Sequence, residues 1–411
     1  MDTFTRTTPR DLRFLSSLKH PASIAILLFF FVGIADGVML PFFALWAQQD
    51  AGIPVGWIGV LFGCYAGGEI LATPFIGGIA DRKGRRPVLL CSTLGVGLGF
   101  LLLYFSHGVV QAACVLLFIG VSESVLHPTI MTVIADTTPH DAMRSRVALA
   151  RTLSNLGRAA GPALGALLVL RSLGTVFLAS GMATLTCMLI VYLWLPETRA
   201  RVDGAGDDDD EEDEEGLSSL LPAFRDARLA RLLLWVVLLE VSGSWIEVAL
   251  PLYAHAHGTL SPSGVGALFT YSALLAALLQ FPLTRLTHRV SEGRLVLASG
   301  AVLVASFVAL MVSASLPSLV VAMTGFAFAD MLFGPLIPAA VNALASASNR
   351  ATYMAAVSVT NDVKDTLGPA TGTALFALSM QLPWMAGIGL AGVAAAGLAM
   401  AFRRSMKASP L

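Results

Sequence analysis

The stretch Gly161-Pro162-Ala163-Leu164-Gly165 returns as Gly368-Pro369-Ala370-Thr371-Gly372, a displacement of 207 residues in a chain of 411. The same displacement carries Glu123 onto Asp330 and Pro128 onto Pro335, so an acid five residues before a proline also repeats in register. One shared pentapeptide can arise by chance. Several features at a single displacement, half the chain long, indicate a duplication. In an apolar chain, parallel repeats of this kind build two helical bundles around a central site.

The chain is apolar. Hydrophobic residues make up 56% and charged residues 13%, against about 25% charged in a soluble domain. Stretches near the roughly 20 residues that cross a bilayer lie at 22–47, 55–80, 87–105, 110–135, 147–170, 173–195, 231–254, 264–287, 294–313, 318–344, 354–379 and 384–402. The expected fold is an all-α integral membrane protein with twelve spans in two pseudo-symmetric six-helix bundles, 22–196 and 229–403. Arg6, Arg10, Arg13 and Lys19 run straight into the first span with no small-residue cleavage pattern, so it reads as retained and not as a signal peptide. Of the 26 lysines and arginines, all except Arg151, Arg158, Arg171 and Lys364 fall in the tails or in alternate loops. That asymmetry puts both tails (1–21 and 404–411) and the central linker (197–228) in the cytoplasm. Nine consecutive acids, Asp207 to Glu215, mark that linker as solvated. Cys64, Cys91, Cys114 and Cys187 lack C-x-x-C spacing and read as packing thiols. Trp46, Trp57, Trp194 and Trp384, near span ends, read as interface anchors.

Between the second and third spans runs Gly77-Gly78-Ile79-Ala80-Asp81-Arg82-Lys83-Gly84-Arg85-Arg86. So short a loop needs glycine, and Gly84 can take positive φ without steric cost. Asp81 is placed to pair with the basic cluster or with the N-terminal amides of a neighbouring helix. This G-x-x-x-D-R-x-G-R-R pattern resembles the signature of the major facilitator superfamily, and the likeness covers essentially the whole chain. The second-half counterpart, Thr284 to Arg289 with Gly293-Arg294, is degraded, and Asp81 maps onto His288.

In the fifth span, Gly157, Gly161 and Gly165 share nearly one face and allow close helix approach, while Pro162 bends the helix. This predicts a kinked seam between bundles. With the loop motif it resembles the antiporter motif of proton-coupled drug efflux members of the superfamily. The eleventh-span copy keeps Gly368, Pro369 and Gly372 but has Lys364 where Gly157 stood.

Eight acids fall inside predicted spans: Asp36, Glu69, Glu123, Glu240, Glu247, Asp330, Asp362 and Asp365. Against them stand Arg158 and Lys364, with Arg151 nearer the cytoplasmic end. Each ionised group near mid-membrane costs roughly 2.5–3.5 kcal/mol on insertion scales, so the set must be paired, protonated or in contact with water. Desolvation favours the protonated carboxyl, which suits proton loading; the same acids would also attract a cation. Arg151, Asn155 and Arg158 share a face of the fifth span, and the repeat maps them to Ser358, Asp362 and Asp365. Proton coupling is assigned to Asp36, Glu123 and Asp330, tuned by Arg158. Substrate contact is assigned to Glu69, Asn155, Glu240, Trp245, Glu247, Asp362 and Asp365, with Trp245 placed to stack on a cation. Relatives commonly carry an arginine in the fourth span; here Glu123 and His127 occupy it, which departs from the family's usual relay.

No nucleotide-binding loop, nucleophile motif or zinc signature is present, which argues against an enzyme, an ATP-driven pump, a cofactor or a metal site. The expected partners are a small-molecule substrate, protons and the lipid bilayer, with no nucleic acid, for a monomer in a bacterial inner membrane. The residues favour a proton-coupled antiporter that exports a small cationic or amphipathic organic solute by alternating access. A symporter or facilitator importing a metabolite, and a receptor or scaffold that transports nothing, are the alternatives.

Overall fold

The computed structural model describes residues 20–139, 142–198, 224–345 and 350–407; for 73–82 and a few other positions, Asp362 and Ser358 among them, only the backbone is described. The acidic run and most of the N-terminal tail lie outside the described residues. Those described form helices and turns, with no strand among them. In lipid this is the expected outcome, because a helix satisfies its own backbone hydrogen bonds.

The first half contains α1 (Pro21–Gln49), α2 (Val55–Lys83), α3 (Arg85–Tyr104), α4 (Val109–Glu123), α5 (Leu126–Asp136), α6 (Met143–Leu168) and α7 (Thr175–Trp194). The second contains α8 (Ala227–Ala256), α9 (Pro262–Thr287), α10 (Glu292–Val312), α11 (Leu316–Phe333), α12 (Leu336–Leu344), α13 (Arg350–Leu378) and α14 (Leu382–Lys407). Among the described residues, ten stretches are long and apolar enough to cross a membrane; α6 and α13, which carry the charged stripes, are not among them. Starts follow local chemistry. The Asp226 carboxylate accepts the Arg228 amide at 2.8 Å to open α8, and Ser261 with Pro262 opens α9.

The expected fourth and tenth spans are each two helices, broken at Ser124-Val125 and at Gly334-Pro335. The cause is proline. Pro128 and Pro335 lack the N–H that would bond four residues back, which loosens the ladder there. The Met331 carbonyl, freed by Pro335, accepts the Gln280 side-chain amide at 3.2 Å.

Packing repeats with the sequence. The pairs α1–α6, α2–α4, α3–α4, α3–α7 and α1–α7 recur as α8–α13, α9–α11, α10–α11, α10–α14 and α8–α14. Individual contacts recur too. The Ser92 hydroxyl donates to the Ser122 carbonyl at 2.5 Å and Ser299 donates to the Ala329 carbonyl at 2.8 Å, both partners shifted by 207 residues. The edge-on pair Trp46 and Phe177, 4.7 Å between centroids, likewise becomes Tyr253 and Trp384 at 5.4 Å.

That aromatic pair corrects an expectation. Trp57 and Trp194 are exposed as interface residues should be, but Trp46 and Trp384 are 2% and 0% exposed. Each is locked in an aromatic cluster, with Phe43 and Phe177 or with Tyr253 and Phe307, so burial of the ring decides their position.

The halves meet through α2–α13, α6–α9 and α1–α8. At the end away from the Arg85 loop these contacts are tight. A Cβ on Gly59 would stand 2.6 Å from the Ala370 carbonyl oxygen, and one on Gly266 would stand 2.7 Å from the Ala166 Cβ. Nearer the loop end, Arg151, Asn155, Asp330 and Asp365 are all exposed.

Candidate functional site

The loop motif forms a charged clasp. Gly84 takes φ +98°, a conformation that favours glycine, and it caps α3. This aims the first amides of α3 at one carboxylate: Arg85 N donates to Glu197 Oε1 at 2.8 Å and Arg86 N to Oε2 at 3.2 Å. Glu197 follows α7, so the helix N-terminus of one element holds the end of another. The Arg85 guanidinium also meets Asp136, at the end of α5, at 3.2 Å, and Arg86 donates to the Tyr192 carbonyl at 2.7 Å. Neither Glu197 nor Asp136 stood out in the sequence. An acid just past a span end, on the side of the basic loop, was the available signal. The side chains of Asp81 and Arg82, and Gly77 beside them, lie in the segment where only backbone is described.

The glycine-proline motif packs within its own half. Cβ atoms on Gly157 and Gly161 would collide with the backbone of α1 at Phe30 and Gly37, and one on Gly165 with the Phe42 ring. From the facing side, Gly33 and Gly37 meet Ser154 and Arg158. In the repeat, Gly368 and Gly372 meet Ser244 and Trp245 on α8. This corrects the expectation of a seam between bundles. The glycine face serves α1, and the inter-bundle contact uses another face of α6, where Ala166 meets Gly266. Both helices run without interruption through Pro162 and Pro369.

This close approach brings the charged residues together. Asp36 on α1 and Arg158 on α6 are 3.6 Å apart. Glu123, at the break after α4, is 5% exposed and accepts a hydrogen bond from the Tyr65 hydroxyl on α2 at 2.9 Å. Asp36, Glu69 and Arg158 are all within electrostatic reach of Glu123, and His127 is within reach of Asp36 and Arg158. His127 packs on Phe29, 5.7 Å between ring centres.

The second half holds a parallel but different cluster. Lys364, where the first copy has Gly157, contacts Asp365 at 2.8 Å. Glu240, Glu247 and Asp330 lie within electrostatic reach of Lys364 and form one group with it. Glu240 Oε2 is buried without a hydrogen-bond partner among the described residues. Arg158 is in reach of Asp365 and Glu247, which links the two clusters across the divide. Asp330 repeats Glu123 in sequence only: it is exposed, and Ser272 stands where the first half has Tyr65. Trp245 is 5% exposed, and its indole N–H donates to Thr371 at 2.8 Å. The ring lies in the α8–α13 seam behind the wall, so it is not open to a ligand. The side chain of Asp362 lies outside those described.

The sequence model of the Major Facilitator Superfamily matches residues 25–259 and again 238–410, which together cover both halves. The chain belongs to this superfamily. Ten of its described stretches are long and apolar enough to cross a membrane, as in a multi-pass membrane protein of this superfamily. The Escherichia coli tetracycline resistance protein, class B, is 32% identical over 141 residues, 34% of this chain and 35% of that one. Multidrug resistance protein MdtG of Citrobacter koseri is 27% identical over 208 residues, 49% of this chain and 50% of that one. The chain thus spans about a third to a half of the length of the curated relatives it matches. Among solved structures, an inward-facing, unoccupied bacterial homologue of the lysosomal transporter Spinster aligns with TM-score 0.77 at 15% identity, covering 96% of this chain and 99% of that one. The nucleoside transporter NupG aligns with TM-score 0.76 at 14% identity, covering 96% and 100%. At these identities the likeness is one of fold.

Proposed function

We propose that this transporter is a proton-driven antiporter that exports a small cationic or amphipathic organic solute from the cytoplasm by alternating access. In this reading twelve spans form two six-helix bundles related by a pseudo-two-fold axis, in a bacterial inner membrane. Both termini and the Arg85 loop face the cytoplasm, so the open end is inward-facing. The recurrence of packing pairs and hydrogen bonds at one displacement supports the axis. The two glycine contacts, Gly59 and Gly266, are the pivots on which the bundles rock.

One observation carries the coupling assignment. Glu123, nearly dry and held by Tyr65, stands beside the Asp36–Arg158 pair, which opens to water. A carboxyl withdrawn from water next to a hydrated ion pair can take a proton while the cavity is open and hold it while the cavity closes. Asp330, Glu240, Glu247 and Asp365 on the facing wall offer the negative field that draws in a solute. The Lys364–Asp365 contact leaves this wall acidic overall. Kinship with drug resistance proteins favours export. The membrane potential, worth about 2.3 kcal/mol per charge per 100 mV, is sufficient drive.

The test is accumulation of candidate solutes in inverted vesicles under an imposed pH gradient. Flux should follow the gradient, and Asp36→Asn or Glu123→Gln should lose the gradient-driven component while the protein remains folded. Flux indifferent to the gradient would remove coupling; gradient-driven movement in the opposite sense would make the protein a symporter.

A further inference from the structure

Above the Asp36–Arg158 pair, towards the loop end, lies a cavity of about 310 Å³, within the range of small-ligand sites. Its polar wall is a single face of α6: Arg151, Ser154, Asn155 and Arg158, with Phe29 and Met131 supplying apolar surface. Every polar side chain on that face can donate, with Ser154 and Asn155 able to accept as well, and no acid is among the described residues that line the cavity. Arg158 is already engaged by Asp36. Arg151 is exposed and makes no ion pair or hydrogen bond with any described residue, and the same is true of the side chains of Ser154 and Asn155. Arg151 and Asn155, one turn apart, present a guanidinium fork and a carboxamide donor side by side.

A free guanidinium in an open cavity is held by water. When the bundles close, that water leaves, and an unpaired charge inside the membrane becomes costly. An anion brought in by the solute would remove the cost. We propose that this cavity is a subsite for a carboxylate on the transported solute, with Arg151 and Asn155 as its ligands. The inference rests on the reading that solute enters from the loop end, and it narrows the substrate class. The solute carries an acid next to an apolar body that lies on Phe29 and Met131. A plain cation would leave Arg151 unmatched. Where the solute also carries a cationic group, Asp365 and Asp330 on the opposite wall can receive it, which makes an amphipathic zwitterion the best fit.

Three probes with one apolar body separate the possibilities: 1-naphthylalanine (zwitterion), its N-acetyl derivative (anion) and its methyl ester (cation). Binding to the purified full-length protein, with no gradient present, is read by probe fluorescence. The two acids should bind in preference to the ester. Arg151→Gln should weaken the acids about 30-fold, the loss of one charge-assisted contact, and leave the ester unchanged. Arg151→Lys should restore part of the affinity, which separates a lost charge from a misfolded site. Preference for the ester, equal effects of Arg151→Gln on acid and ester, or no binding of any probe at millimolar concentration would each overturn the proposal. So would displacement of the acids by dioctanoyl phosphatidylglycerol but not by one another, which would make the site a lipid headgroup site. Because no gradient is used, loss of coupling in vesicles would leave this result intact, and failure here would leave the coupling result intact.

Discussion

Replacing Gly161 by alanine probes the α1–α6 seam that holds Asp36 against Arg158. A Cβ at this position would stand 2.5 Å from the Val38 amide nitrogen and 2.6 Å from Gly37 Cα, and closer still to the Gly37 carbonyl carbon. All three are backbone atoms, so no rotamer change relieves the clash, and the helices must part by about 1 Å to reach ordinary contact. Parting also loosens Gly33 from Ser154 and Gly157 from Phe30, so packing is lost along several turns. Alanine regains about 1 kcal/mol of helix propensity over glycine. Overpacking into rigid neighbours costs about 1–3 kcal/mol, and with several turns affected the upper part of that range should prevail. The net expectation is a loss of about 1–2 kcal/mol. Gly67→Ala is the matched control, because nothing stands within 4 Å of its Cβ position, so only the propensity gain remains. Thermal unfolding in detergent, followed by tryptophan fluorescence, should place G161A below the parent and G67A level with it or above. A G161A protein that melts at or above the parent would refute the seam.

Other outcomes follow from single contacts. Tyr65→Phe removes the donor to Glu123 and should cost about 1–3 kcal/mol for a buried carboxylate left unsatisfied; a shifted pH profile of gradient-driven flux would tie it to coupling, and an unchanged profile would make it structural. Glu197→Ala strips the acceptor from the first amides of α3, a loss of about 1 kcal/mol, and hydrogen exchange across residues 85–89 should accelerate. Partial burial pushes Asp226 up, but the Tyr353 hydroxyl at 2.8 Å, the Arg228 amide and the Arg228 charge outweigh it and hold the carboxyl below the usual aspartate range. With the folded value depressed, this contact stabilises fully above the ordinary aspartate pKa and is lost as pH falls through the lower folded value. Exchange at the start of α8 should therefore rise in acid, and Asp226→Asn should flatten that response.

Much of the architecture was legible because it depends on solvent and periodicity. Apolar runs near 20 residues must be helices in lipid, and the 207-residue register told in advance which residues would be equivalent. The breaks before Pro128 and Pro335 were also written locally, in two missing N–H groups, although the sequence reading ran each span through them. The charged clasp was half legible. Gly84 announced its turn, but Glu197 lies more than 100 residues from the amides it caps, and nothing local ties it to them. Trp46 and Trp384 misled because position near a span end says nothing about which way a ring turns. The duplication also hid a difference. Asp330 copies Glu123 in register, yet serine stands at position 272 where the first half has Tyr65, and Asp330 is exposed.

The sequence alone determined that this chain is a duplicated membrane protein bearing the marks of its superfamily, with eight acids inside its expected spans. Those are properties of composition, spacing and repeat, and each residue carries them wherever the chain goes. Tertiary structure decided which charges meet. Asp36 reaches Arg158 because glycines on both helices let two backbones touch, the buried Glu123 is held by the Tyr65 hydroxyl, and Arg151, on the cavity wall, has no ion-pair or hydrogen-bond partner among the described residues. Burial and pairing are relations between distant segments, and a charge has no fixed cost until its neighbours and its water are known.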